Sequence, residues 1–334
     1  MNYAAPTWLP GGNLQTIWAA KVARRFDGGA PVYRRERWTT PDDDFIDVDW
    51  RDAPALHRHG AAGPTGAATA APLIVLFHGL EGSSASHYAQ AFAAFAQTNG
   101  LAFAVAHFRG CSGELNLAPR AYHSGDYTEI DWILRRFRSA YPGPIVAVGV
   151  SLGGNALMRW AGEMGSAAAS AVRAVAAISA PLDLAAGGHA IGQGFNRLVY
   201  NRLFLNSMRP KALRKLAQFP GLFDREAMLQ ARDLYAFDNI FTAPVHGFRD
   251  TEDYWRRASA KPYLHRVAVP ALLLNARNDP FVPAVSLPRQ GEVGAGVTLW
   301  QPAEGGHVGF PRGAPPGHVR AMPQAVGQWL RDQL

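Results

Sequence analysis

Cysteine is nearly missing from this chain of 334 residues, Cys111 being the single one. No disulfide can form within the chain, nothing calls for an oxidising compartment, and a reducing cytoplasm is the expected location. Long apolar runs are missing too. The longest, Leu73-Ile-Val-Leu-Phe77 with its Ala/Pro lead-in, falls far short of the ~20 residues a membrane-spanning helix needs. Met1 to Gly12 has neither the basic n-region nor the apolar h-region of a signal peptide. Lysine is scarce: Lys21, Lys211, Lys215 and Lys261 are the only ones, so arginine carries most of the net charge of +7. No basic run interleaved with aromatics accompanies that excess, which reads as compositional bias and excludes a nucleic-acid footprint. No set of His, Cys, Asp and Glu has metal-ligand spacing, so no metal and no cofactor is expected.

Against these absences stands a hydrophobic content of 48%, enough for a sizeable core. Segments 32–40 and 45–52 read as two strands joined by the turn Pro41-Asp-Asp-Asp44. The Ala/Gly/Pro/Thr-rich segment 53–71, which contains His57 and His59, reads as a surface loop. From there apolar strands (73–77, 102–108, 145–150, 172–179) alternate with helical patterns (85–97, 127–140, 155–164), and strands at 271–275 and 297–300 precede a closing helix over 322–334. Near-continuous apolar strands separated by helices predict a parallel sheet covered on both faces. Between 180 and 270 the alternation stops, and apolar residues recur at helical spacings. The expected organisation is an N-terminal segment over 1–30, an α/β core over 31–182 and 263–334, and a helical lid over 183–262. An insertion at that point lies over the carboxyl ends of the strands, where open α/β sheets bind ligands.

Gly149-Val-Ser-Leu-Gly153 sits between the run Pro144-Ile-Val-Ala-Val148 and a helical pattern. A G-x-S-x-G turn in that setting is a nucleophile elbow, with the serine in a strained conformation and glycines where side chains would collide with it. A dinucleotide-binding turn would instead require glycine at 149, 151 and 154, and position 151 is serine. A serine hydroxyl needs an adjacent base, and that base needs an acid to orient it, in the chain order Ser, Asp/Glu, His. Asp279 follows the strand at 271–275, and His307 lies in Gln301-Pro-Ala-Glu-Gly-Gly-His307 after the last strand. The assignment is Ser151 as nucleophile, His307 as general base then acid, and Asp279 as orienter, with Asp183 as the alternative acid and Ser112 as a weaker nucleophile candidate. The oxyanion would be held by the backbone N–H groups of Leu152 and Leu80, the latter in His78-Gly-Leu-Glu-Gly-Ser-Ser84. His78 is read as a prop of that loop and Cys111 as a small packed side chain.

The motifs Phe77-His-Gly-Leu-Glu-Gly-Ser83, His107-Phe-Arg-Gly-Cys-Ser-Gly-Glu114, Tyr122-His-Ser-Gly125, Gly149-Val-Ser-Leu-Gly-Gly-Asn155, Asn278-Asp-Pro-Phe281 and Gly305-Gly-His-Val-Gly-Phe310 together resemble the YheT-like branch of the α/β-hydrolases. That branch includes bacterial hydrolases, yeast medium-chain fatty acid ethyl ester synthase/esterases and mammalian α/β-hydrolase-domain phospholipases. The likeness runs through the lid and reaches Asn13-Leu-Gln-Thr16 near the start. It implies the triad Ser151, Asp279 and His307, and esters of short to medium acyl chains as substrates. Hydrolysis, acyl transfer to an alcohol, and a non-catalytic binding role on a hydrolase fold are the three readings carried forward. Arg197, Arg202, Arg209, Lys211, Arg214 and Lys215, mixed with Leu198, Leu203, Phe204, Leu213 and Leu216, give the lid a basic amphipathic pattern. It would either rest weakly on anionic lipid or pack inward with a solvated basic back.

Overall fold

A computed structural model describes residues 3–53 and 70–334; the histidine pair at 57 and 59 lies outside the described residues, as does nearly all of the expected loop. Eight strands form one sheet: β1 (Arg34–Thr39), β2 (Phe45–Arg51), β3 (Leu73–Phe77), β4 (Ala102–Ala106), β5 (Ile145–Val150), β6 (Ala174–Ile178), β7 (Ala271–Leu274) and β8 (Val297–Trp300), in the order β1-β2-β4-β3-β5-β6-β7-β8. β1 and β2 form an antiparallel hairpin, and β2 joins β4 antiparallel. From β4 through β8 every pairing is parallel.

The central strands are apolar at every position because both faces are covered, and their period of two deals side chains to opposite cores. On β3, Leu73, Val75 and Phe77 pack with α3 (Tyr127–Ala140) and α4 (Leu152–Met164), through Ile130, Ile133, Phe137, Leu157 and Trp160. Ile74 and Leu76 face the other way, onto Phe92 and Phe95 of α2 (His87–Thr98) and onto Met322, Val326 and Leu330 of the last helix, Ala321–Arg331. Side chains as large as Phe92, Phe137 and Trp160 are fully buried, each stabilising the fold by roughly 2–3 kcal/mol. Asp126 caps α3, its carboxylate accepting from Glu129 N at 3.2 Å.

The turn after β1 does more than reverse the chain. Asp42 and Asp44 each reach Arg109 at 2.9 Å, and Glu129 of α3 meets the same guanidinium at 2.7 Å. Burial and the nearby Asp126 raise Glu129 to about 7 despite that cation. This cluster fastens the hairpin to the segment after β4, which also carries Ser112. The Ser112 hydroxyl donates to Asp47 at 2.6 Å, and among the described residues no imidazole is hydrogen-bonded to it.

Between β6 and β7 the chain is helical, as α5 (Leu184–Ile191), α6 (Arg202–Gln218), α7 (Arg225–Gln230) and α8 (Thr251–Ala258) with shorter turns between them. Asp183 is placed here: its side chain accepts from Ala186 N at 3.1 Å and caps α5, whereas the carboxylate that meets His307 is Asp279. The lid's basic stripe also divides. Lys215 is 2% exposed, its ammonium donating to the carbonyls of Asn116 and Ala118, and burial lowers it to about 8. Lys211 pairs with Glu81 at 2.9 Å. These two cations point inward, whereas Arg197, Arg202, Arg209 and Arg232 ring a concavity on the outer surface with exposed Leu198 between them.

Candidate active site

β5 ends at Val150 and α4 begins at Leu152, so a single residue, Ser151, makes the turn, at φ 52 and ψ −118. Left-handed backbone at a serine costs on the order of 1–3 kcal/mol and persists only where the surroundings enforce it. The enforcement is close packing by glycine. A Cβ at Gly149 would lie 2.4 Å from the carbonyl oxygen of Gly153, and one at Gly153 would lie 2.5 Å from those of Phe77 and His78. The helix starts three residues earlier than its apolar pattern suggested, because Gly153 and Gly154 weaken the helical signal just where the turn needs them.

The structure brings the hydroxyl of Ser151 to 3.0 Å from His307 Nε2, and His307 Nδ1 to 2.9 Å from Asp279 Oδ2. Asp279 is held in turn: its Oδ1 accepts the N–H groups of Phe281 at 2.8 Å and Val282 at 3.2 Å. With both backbone donors on Oδ1, Oδ2 is left for the imidazole. That contact places the proton on Nδ1 and leaves Nε2 as an acceptor toward the serine. His307 and Asp279 are both buried.

The histidine loop is clamped from the far end of the chain. Helix α1 (Gly12–Lys21) supplies Thr16, whose Oγ1 accepts from His307 N at 2.8 Å while donating to Gly12 O at 2.7 Å. It also supplies the fully buried Gln15, whose Oε1 accepts from Gly305 N at 2.9 Å and from Asn278 Nδ2 at 3.0 Å. Asn278 closes the frame by accepting from Gly306 N at 3.0 Å. Gln15 thereby joins the aspartate loop to the histidine loop. After His307, Val308 stands at φ 55, held by Ser179 Oγ on its N–H and by His87 Nε2 on its carbonyl, both at 3.0 Å. Gln15, Thr16, Asn278 and Ser179 were not singled out as site residues from sequence; the Asn13-Leu-Gln-Thr16 likeness was the one signal pointing toward α1.

On the other side of Ser151 runs the loop from His78 to Ser84. Gly79 packs so tightly that a Cβ there would lie 3.2 Å from that of Ser151, and its N–H donates to Tyr88 Oη at 2.9 Å. His78 props this loop as expected, accepting from Phe108 N at 3.0 Å and meeting Gly79 O at 2.8 Å through Nδ1. Burial lowers the ring to about 3, so it stays neutral. The N–H groups of Leu80 and Leu152 donate to no acceptor among the described residues, while both side chains line the cavity that holds Ser151.

Two spaces meet at Ser151 and His307. One is a small cavity of about 110 Å³ walled by Leu184, Ile191, Phe204, Met208, Trp255 and Phe281. The other is an open groove of about 550 Å³ between α1 and the lid, where Ile17 and Ala20 face Val199, Leu203 and Phe204. Among the described residues Asp238 is the one carboxylate in the wall of the smaller cavity; it accepts from Trp255 Nε1 at 2.9 Å and burial raises it to about 6. Cys111 is buried with its thiol raised to about 12, a packed side chain. Among the described residues no three metal-ligating side chains converge, and no helix is long and apolar enough to cross a membrane.

Comparisons with known proteins agree with this architecture. The alpha/beta hydrolase fold family matches residues 72–314. YheT of Escherichia coli (strain K12), to which esterase activity is ascribed, is 37% identical over 325 residues, covering 96% of this chain and 91% of its own. Phospholipase ABHD3 of Mus musculus is 30% identical, covering 90% of this chain and 72% of its own. Among solved structures the esterase Pf2001 of Pyrococcus furiosus superposes with a TM-score of 0.54 at 17% identity, covering 92% of this chain and 95% of its own. With its mostly parallel sheet, its helical lid and this likeness along nearly the whole length, the chain belongs to the α/β-hydrolase fold family, in the branch that holds YheT.

Proposed function

We propose that the protein is a serine carboxylic ester hydrolase acting through an acyl-enzyme on esters of short to medium acyl chains. The observation that carries this reading is the double contact of one imidazole, 3.0 Å to Ser151 Oγ and 2.9 Å to Asp279 Oδ2. His307 Nε2 takes the hydroxyl proton as Ser151 attacks the ester carbonyl. The N–H groups of Leu80 and Leu152 receive the developing oxyanion, each contributing ~3 kcal/mol. The imidazolium, held by Asp279, then protonates the departing alcohol, and water repeats the sequence in reverse to release the acid. The relatives' names, an esterase and a phospholipase, concern ester cleavage, which supports the bond type.

The smaller cavity suits the acyl group, because its walls are largely apolar and it ends at the lid. The open groove suits the alcohol portion, which must leave. That same groove favours a second reading, transfer of the acyl group to an incoming alcohol, since its apolar lining would hold an acceptor as readily as a leaving group. A binding protein without catalysis would have no need of a strained serine aligned with a buried imidazole and carboxylate. The deciding experiment is labelling with a fluorophosphonate probe followed by hydrolysis of an ester series from acetate to laurate. Ser151 should carry the label, Ser151→Ala should lose both label and turnover, and adding ethanol should reveal any ethyl ester product. A label on another residue, or undiminished turnover in Ser151→Ala, overturns the reading.

A further inference from the structure

Glu81 has no part in the mechanism above, yet its surroundings are unusually complete. It adopts φ +57, a left-handed conformation that glycine, asparagine and aspartate tolerate far better than glutamate. The Tyr122 hydroxyl accepts from Glu81 N and donates to Glu81 Oε1, both at 2.9 Å, and the Tyr122 ring stacks on Phe108. The second carboxylate oxygen receives the Lys211 ammonium at 2.9 Å and the hydroxyl of Ser207. Lys211 and Ser207 lie on one face of α6, so a single carboxylate ties the loop carrying Leu80 to the lid. Among the described residues it is the only ion pair linking segment 183–262 to the rest of the chain.

A carboxylate one residue from an oxyanion donor is electrostatically awkward. Negative charge develops on the substrate oxygen during attack, and an uncompensated anion beside it opposes that step in a site of low dielectric. Lys211 removes the conflict, and it comes from the lid. We propose that Glu81 is a positioning residue that senses the lid: with α6 docked, Lys211 neutralises it while Tyr122 and Ser207 hold the loop so that Leu80 N–H faces the oxyanion. With α6 displaced, the same carboxylate keeps Tyr122 but loses its cation, one residue from the proposed oxyanion donor. The lid thereby licenses the chemistry as well as covering the substrate. This inference rests on the serine hydrolase reading.

The sign of the coupling between the two charges provides the test. Kinetics on a soluble short-chain ester are compared for wild type, Lys211→Met, Glu81→Gln and the double variant, with Lys211→Arg as the conservative control and Ser151→Ala as the blank. Lys211→Met should lower kcat on the order of 10- to 100-fold with KM changed little, since a transition-state charge is affected. The double variant should recover to within about fivefold of Glu81→Gln, and Lys211→Arg should stay near wild type. A contact that merely braces the fold would make kcat follow melting temperature across the set, with both lowest in Lys211→Met, and that result overturns the proposal. So does a Lys211→Met enzyme with unchanged kcat. Failure of the underlying reading shows separately, as Ser151→Ala that matches wild type.

Discussion

Replacing Asp279 by asparagine changes no volume and removes one charge, and the structure dictates what the new amide must do. The N–H groups of Phe281 and Val282 both point at Oδ1, at 2.8 and 3.2 Å. An asparagine turned the other way would set its own NH2 against two buried donors and leave them unpaired, at roughly 1–3 kcal/mol for each. The carbonyl oxygen therefore stays on the backbone side and the NH2 faces His307 Nδ1. That nitrogen must now accept, so the ring proton moves to Nε2, which sits 3.0 Å from the Ser151 hydroxyl and can no longer take its proton. A wrong tautomer with intact geometry lowers kcat by about 10⁴, equivalent to about 5.5 kcal/mol. Steady-state hydrolysis of p-nitrophenyl butyrate reads the loss, and a thermal melt within a few degrees of wild type shows that the fold survived. A decrease smaller than about tenfold would falsify the orienting role of Asp279. Asp183→Asn serves as the companion, with kcat expected near wild type because that carboxylate caps α5.

Thr16→Val keeps the shape of the side chain but takes the acceptor from His307 N–H, leaving a buried donor unpaired at about 1–3 kcal/mol; kcat should fall about 10- to 100-fold, Thr16→Ser should restore it, and equal rates for all three would sink the clamp. Burial lowers His78, His87 and His123 to about 3, 4 and 3, whereas unfolded imidazoles titrate near 6.5. Their stabilising effect is complete above pH 6.5 and drains away as pH falls, by about 2 kcal/mol for each at pH 5. The melting temperature should drop by about 10 °C between pH 7 and pH 5; a flat profile over that span contradicts it. The outward arginines of the lid should bind anionic vesicles weakly, with each charge removed at Arg197 or Arg202 weakening co-sedimentation about fivefold. Equal recovery with zwitterionic vesicles would rule that contact out.

The sheet was legible because its signal is local and redundant. Apolar runs such as Leu73–Phe77 can only be strands buried on both faces, and the helices between them leave few topologies open. Ser151, Asp279 and His307 stand out for a related reason: each follows a strand, in a turn or loop whose distinctive residues are its sequence neighbours. Gln15 and Thr16 offer no such signal. A polar pair in a short helix looks like a solvated face until a loop nearly 300 residues later supplies its partners. Lys211 and Lys215 misled in the opposite sense, since a cation at helical spacing suggests a water-facing side. The backbone carbonyls of Asn116 and Ala118 and the carboxylate of Glu81 turned them inward. Arg109 belongs with these, its three carboxylates coming from a turn and a helix that sequence treats as unrelated.

The clamp on the histidine loop has a consequence for how the protein comes into being. Thr16 and Gln15 leave the ribosome well before the backbone groups they grip, at Gly305 and His307, nearly 300 residues later. At 5–20 residues per second, about 15–60 s separate the two during synthesis. Until that interval has passed Ser151 lacks the imidazole that the folded chain sets beside it, so on the proposed mechanism a half-made chain would be unable to cleave esters.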